Sequence, residues 1–217
     1  MTADFSRVAR AYRWMEYASF GPLLEQTRFL HIAALRNSQR VLILGDGDGR
    51  FLARLLAAHP HLSIDSVDCS GGMIRLAQAR VAALKSTSPE RVQWHHADAL
   101  TVPLPHLMYD AVVTHFFLDC FGDADLRLLI EGLLPRLSRG ALWINSDFTI
   151  PARGWMRWPS RIIVRSLYAA FFLLAGLRTQ RLPDDASALE AAGLILENRT
   201  TLAVGLLKSE IWRAPLL

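Results

Sequence analysis

Residues Gly45-Asp46-Gly47-Asp48-Gly49-Arg50 stand between an apolar run, Arg40 to Leu44, and a helical pattern, Arg50 to Ala58. Glycines at that place let the backbone turn tightly and let a ligand approach the main chain. A dinucleotide-binding loop would read GxGxxG, and Arg50 occupies the position of its last glycine. A pyrophosphate seeks the bare N-terminus of a helix, where Asp46 and Asp48 would repel it. The two carboxylates suit a ligand with a cationic centre and no phosphate. The competing reading is a plain turn, since Asp-Gly pairs are common in turns.

Two further acids stand at comparable places. The run Val67-Asp68-Cys69-Ser70 closes a second strand pattern, with Met73 just beyond. Asp68 lies about 20 residues past the glycine loop, where an acid accepts from ribose hydroxyls. Asp68 and Ser70 are also good helix caps, and the two roles are compatible. Met73 covers an adenine face or belongs to the core. Ala97-Asp98-Ala99 ends a third strand, and Asp98 either accepts from an adenine amino group or is a solvated loop acid. All three acid sites fall at the carboxyl ends of successive strands, the face on which open α/β sheets bind ligands. S-adenosylmethionine, with its sulfonium, ammonium, ribose and adenine, is a ligand of the required kind.

The elements that must position these residues follow from periodicity. Phe5 to Leu35 reads as helical with a break at Gly21-Pro22. Strands are expected over Arg40–Leu44, Leu62–Val67, Arg91–Ala97, Tyr109–Thr114 and Gly140–Ile144, with helices over Arg50–Ala58, Gly72–Leu84 and Asp123–Leu137 between them. Ser160–Leu177 and Asp185–Ala192 are further helices, and Leu194–Leu202 and Val204–Trp212 are two strands around a tight turn. Such alternation implies a doubly wound, mostly parallel α/β sheet of seven strands, closed by a C-terminal antiparallel hairpin. We divide the single domain, 1–217, into a helical cap (1–37), a cofactor-binding core (38–150), a helical lid or insertion (151–183) and a closing helix and hairpin (184–217).

Val41-Leu42-Ile43-Leu44-Gly45-Asp46-Gly47-Asp48-Gly49, Val67 to Met73, Ala97-Asp98-Ala99 and Tyr109-Asp110-Ala111-Val112-Val113 together resemble the class I S-adenosylmethionine-dependent methyltransferases. The resemblance covers roughly residues 38–150. The N-terminal aromatic helix is similar to ubiquinone and menaquinone C-methyltransferases. It implies a Rossmann-like methyltransferase fold and S-adenosylmethionine as cofactor, with S-adenosylhomocysteine as product. The implied contacts are Gly45, Asp46, Gly47, Gly49, Asp68, Cys69, Ser70, Met73, Asp98, Ala99 and His115. One position departs: the family often has an acid where Ile43 stands, which would leave its role to Asp46 or Asp48. Three other readings stay open: a non-catalytic protein keeping the fold, an aminopropyltransferase-like enzyme, and a nicotinamide oxidoreductase. For the second, Thr114-His115-Phe116-Phe117-Leu118-Asp119 matches the needed acid motif poorly; the loop spacing disfavours the third.

Methyl transfer needs alignment and water exclusion more than a catalytic array. A base is required only where the acceptor is still protonated. The segment Thr114 to Phe121 would lie over the methyl group. His115 is a base, a cofactor contact or a structural histidine; Asp119 contacts substrate or caps the next helix; Asp147 binds a substrate polar group or ends its strand. No Asn-Pro-Pro-Tyr or Asp-Pro-Pro-Tyr follows the fourth strand, there is no Pro-Cys pair, and no aromatic-basic stripe suits single-stranded nucleic acid. His95 and His96 alternate to opposite faces and His59 and His61 flank Pro60, so no metal site is expected.

Arg153, Arg157, Arg161 and Arg165 recur every four residues among Trp155, Met156 and Trp158. Pro159 is expected to interrupt that helix, leaving Arg161 and Arg165 aligned. Residues 153–177 are a lid, a peripheral membrane contact or plain core. The chain's 217 residues, 52% of them hydrophobic, exclude a disordered or low-complexity protein. No apolar run approaches the roughly 20 residues of a membrane span. Two isolated cysteines, Cys69 and Cys120, and no recognisable leader fit a cytoplasmic protein acting on a small molecule.

Overall fold

The computed structural model describes residues 20–84, 89–105, 108–151, 153–175 and 181–215. Its strands are β1 (Arg40–Leu44), β2 (Ser63–Asp68), β3 (Val92–His96), β4 (Tyr109–His115), β5 (Leu137–Phe148), β6 (Ile195–Leu202) and β7 (Leu207–Arg213). Its helices are α1 (Leu23–Phe29), α2 (Arg50–Ala58), α3 (Gly71–Ala82), α4 (Asp123–Leu133), α5 (Arg157–Ala175) and α6 (Asp185–Ala191).

The strands form one sheet in the order β3-β2-β1-β4-β5-β7-β6. The first five run parallel, and β7 lies antiparallel between β5 and β6. Val41 to Leu44 are almost wholly buried, as a central strand covered on both faces requires. From β1 the chain winds outward through β2 and β3, then returns to lay β4 on the other side of β1. The gap between β1 and β4 is therefore the topological switch point, where doubly wound sheets open a crevice at their carboxyl ends. One face of the sheet packs Tyr109, Trp143 and Trp212 against α4 and α6. The other packs Val41, Ile43 and Val113 against Phe51, Leu52, Leu55 and Leu56 of α2, a spacing that makes one helical stripe.

Five expectations need correction. Of the N-terminal helix, residues 5–19 lie outside the described residues; the remainder is the short α1 and a separate 3-10 turn, Ile32–Asn37. The helix from Asp123 ends at Leu133 and gives way to a 3-10 turn holding Pro135, which has no N–H to continue an α-helix. The fifth strand starts earlier and ends later than Gly140–Ile144, so Asp147 lies inside it and not beyond it. Gly140, at φ +69°, lies where the register against β4 shifts and lets the strand run on through polar residues. Pro159 does not interrupt the arginine helix: it sits in the first turn of α5, where its missing N–H costs nothing. The last strand does not start at Val204: that residue lies in the tight turn itself, the 3-10 turn Ala203–Gly205 with positive φ at all three residues, and β7 begins at Leu207.

Candidate active site

Backbone hydrogen bonds knit the loops at the carboxyl edge. Gly45 N donates to Val67 O at 2.9 Å, and Ala97 N to Asp68 O at 3.1 Å. The glycine loop, the end of β2 and the loop after β3 thus form one rim. Gly47 has φ +65°, and a Cβ there would meet nothing within 4 Å. Its main chain therefore faces open space. Asp68 Oδ1 accepts from Ser70 N at 2.7 Å, and Ser70 Oγ accepts from Met73 N at 3.3 Å. The acid at the strand end and the helix cap beside it coexist. Met73 is buried, and Cys69 O receives the His96 ring at 3.1 Å. Asp98 Oδ1 accepts from Leu100 N at 3.0 Å, and Ala99 packs on the core.

The other two loop glycines have neighbours overhead. A Cβ on Gly45 would lie 2.2 Å from the Phe117 ring, and one on Gly49 would lie 2.6 Å from Ala77 Cα. Gly49 is thus the contact at which α2 meets α3. The two loop acids divide their labour. Asp48 is buried and pairs with Arg50 Nε at 2.8 Å and Arg80 at 2.9 Å. It ties the loop to α3 and explains the arginine at position 50. Asp46 Oδ2 accepts from Leu52 N at 3.1 Å, in the first turn of α2. Desolvation pushes its carboxyl up to about 7, against the lowering effects of the Leu52 bond and Arg28.

His115, the last residue of β4, is buried, and neither ring nitrogen has a hydrogen-bond partner among the described residues. Its ring stands edge-on to Phe51 at 4.4 Å. Burial, then the charges of Arg28 and His31, holds its pKa well below the usual range, so the imidazole is neutral at pH 7. Arg28 is buried on α1 with its guanidinium 4.9 Å from the centre of the Phe116 ring. Phe116 itself has φ +52°, an outlier for a bulky side chain that costs about 1–3 kcal/mol and marks functional sites. The Phe116 and Phe20 rings lie 5.2 and 5.3 Å from Phe148. A neutral imidazole and a buried arginine thus sit beside an aromatic patch. Sequence reasoning missed Arg28, His31 and Phe116: the first two come from a short N-terminal element, and no motif marks the third.

Asp119 and Asp147 lie together and apart from His115. Side chains alternate along a strand: Ser146 faces Thr27 O on α1, while Asn145 faces Asp185 on α6 at 2.6 Å. Asp147 shares the Asn145 face, and its Oδ2 accepts from Asp119 N at 3.1 Å. Burial raises both carboxyls, Asp119 to about 6 with the charge of Asp185 adding to it, and Asp147 well above the ordinary value with the charges of Asp119 and Asp185 adding to it. Lys208 Nζ lies 2.7 Å from Asp185 and 3.2 Å from Glu210. Burial opposes its charge, but these carboxylates outweigh it and raise its pKa. Among the described residues, no group of three or more His, Cys, Asp or Glu side chains could hold a metal ion.

Comparison with known proteins fits this geometry. Residues 42–142 match the family model described as a methyltransferase domain. An uncharacterized methyltransferase of Mycobacterium tuberculosis is 38% identical over 86 residues, 40% of this chain and 40% of that protein. The match thus spans two fifths of that relative's length. A demethylmenaquinone methyltransferase of Clavibacter sepedonicus is 28% identical over 181 residues, covering 77% of this chain and 70% of the relative. The N-methyltransferase NodS of Bradyrhizobium japonicum, solved with S-adenosyl-L-homocysteine, superposes with a TM-score of 0.62 at 15% identity over 88% of each chain.

Proposed function

We propose that this chain, whose sheet and glycine loop are those of the class I S-adenosylmethionine-dependent methyltransferases, moves a methyl group from S-adenosylmethionine to a small, hydrophobic acceptor. The observation that carries the reading is the bare Gly47 backbone at the switch point, with Asp68 and Asp98 on the same rim. Bound there, S-adenosylmethionine supplies an activated methyl and a neutral thioether leaving group. Gly47 lets the main chain approach it, Gly45 makes room for the Phe117 ring beside it, Asp68 accepts from ribose hydroxyls, Asp98 accepts from the adenine amino group, and Met73 lines the adenine side. Cys69, Ser70 and Ala99 supply backbone to the same rim. Gly49 serves by holding α2 against α3.

On the acceptor side, His115 orients the acceptor and takes its proton as the new bond forms. Its low basicity suits an acceptor whose own proton is acidic. Phe116, Phe148 and Phe20 offer the apolar wall that favours a hydrophobic molecule. Asp119 and Asp147 sit beneath α5 and serve as polar contacts at its inner side, with Tyr168 OH donating to Asp119 O at 3.1 Å.

Calorimetric titration with S-adenosylhomocysteine tests the reading. Wild-type protein should bind it with micromolar affinity, and NADH should not bind. Asp68→Ala should weaken the complex about 10- to 100-fold, the loss of hydrogen bonds to a charged group. Unchanged affinity in that variant refutes the ribose assignment, and no binding by the wild-type chain refutes the cofactor.

A further inference from the structure

Residues 148–183 hold six arginines, at 153, 157, 161, 165, 178 and 181, and no aspartate, glutamate or lysine. With +4 over the whole chain, this segment carries +6 and the remainder carries −2. The positive charge is thus collected on one stretch, and α5 is its centre. The inner side of α5 is set by Ser160, Val164 and Tyr168, all buried. At helical spacing, Trp158 and Ile162 fall on the opposite side. They are 69% and 66% exposed, and Trp155, in the turn before the helix, is 76% exposed. Ile163 is 37% exposed beside them. Arg157, Arg161 and Arg165 line one flank of this apolar strip, and the Arg161 guanidinium lies 5.2 Å from the Trp158 ring centre.

Exposed tryptophan and isoleucine clustered on one helix face are not what a solvated surface selects. A partner must cover apolar side chains and satisfy closely spaced guanidinium groups. A protein surface would need a matching acidic groove; an anionic bilayer offers both chemistries everywhere on its surface. Trp prefers headgroup depth, and Arg keeps its stem on apolar material while its head stays among phosphates. No described helix is long and apolar enough to cross a membrane, so the contact is one of lying on the surface.

We propose that α5 docks on an anionic phospholipid surface, with Trp155, Trp158 and Ile162 entering the headgroup region and Arg153, Arg157, Arg161 and Arg165 meeting lipid phosphates. This goes beyond the methyl-transfer reading and stands without it.

The test is flotation of the full chain with phosphatidylcholine vesicles, with and without phosphatidylglycerol, at low and high salt. The chain should float with phosphatidylglycerol vesicles at low salt, lose that partition as salt rises, and ignore phosphatidylcholine alone. Arg157→Gln and Arg165→Gln should each weaken partition about fivefold, and Trp158→Ser with Ile162→Ser should abolish it. Circular dichroism and urea midpoints close to wild type show that these surface variants fold. No flotation of folded wild type, equal flotation with both vesicle types, or no effect of the arginine variants overturns the proposal. So does a stable dimer that requires Trp158 and Ile162, which makes a second copy the partner. A chain that floats but does not bind S-adenosylhomocysteine upholds this proposal while sinking the proposed function.

Discussion

Two glycines two residues apart should fail in opposite ways when changed to alanine. Gly49 has φ +79°, and its added Cβ would stand 2.6 Å from both Ala77 Cα and Ala77 Cβ. The left-handed backbone costs a residue with a Cβ about 1–2 kcal/mol. The contact is with helix main chain, so α2 and α3 must move apart, an overpacking cost of about 1–3 kcal/mol. Gly49→Ala should therefore lose about 2–5 kcal/mol. Gly47, at φ +65° with nothing near its Cβ, should lose only about 1–2 kcal/mol. In a chain of this size each kcal/mol shifts Tm by about 2–4 °C. Urea titration without ligand, followed by circular dichroism, measures both, and an unchanged m-value shows that the two-state comparison holds. Titration with S-adenosylhomocysteine should then reverse the order: Gly47→Ala folds but binds poorly, while Gly49→Ala keeps its affinity at temperatures where it stays folded. Equal midpoints would refute the assignment of Gly49 to helix contact, and full affinity in Gly47→Ala would refute the close approach of ligand to that backbone.

Two other outcomes follow from buried charge. The Asp46 carboxyl is raised to about 7 in the folded chain, so the folded state holds a proton that the unfolded state has released. Its contribution to stability is therefore present below about pH 4 and is lost as pH rises through 7. A cationic ligand competes with that proton, so S-adenosylmethionine affinity should rise about tenfold from pH 6 to 8, and calorimetry on Asp46→Asn should show the pH dependence gone. Lys208→Met leaves Asp185 and Glu210 buried without their ammonium, a loss of about 3–5 kcal/mol; a urea midpoint within the error of wild type would show that the network relaxes around the change.

Much of the frame could be read from residues. Val41–Leu44 and Ala111–Val113 are apolar because both faces of a central strand are covered, and the glycines after Leu44 follow because the chain must turn at the crevice. What stayed hidden was tertiary. Asp48 reads as a ligand acid until Arg80, 32 residues on, is found bonded to it. Arg28 and His31 reach His115 only because α1 docks on β5 and β7, where Ser146 Oγ meets Thr27 O and the His31 ring meets Ser209 O. Asp147 is expected beyond the fifth strand because the polar run Asn145-Ser146-Asp147 breaks the apolar signal of a strand that runs on to Phe148. Periodicity reports apolar side chains, and it falters where a buried strand carries polar ones satisfied by hydrogen bonds, as at Asn145 and Ser146.

The departure at Ile43 also finds its physical counterpart in the packing. Ile43 is 1% exposed, in the cluster formed with Val41, Val113 and Phe51. A carboxylate at that depth would need a cation or several donors to offset its desolvation. The loop carries two acids further along, and one is already committed: Asp48 is neutralised by Arg50 and Arg80. Asp46 differs. Its carboxyl is desolvated enough to hold a proton near neutral pH, with Arg28 giving only partial relief. Such a group gains most from an arriving ammonium, because the ligand's charge restores the ionised form that burial has disfavoured. Of the two positions left open by the sequence, we therefore propose Asp46 for the missing acid's role.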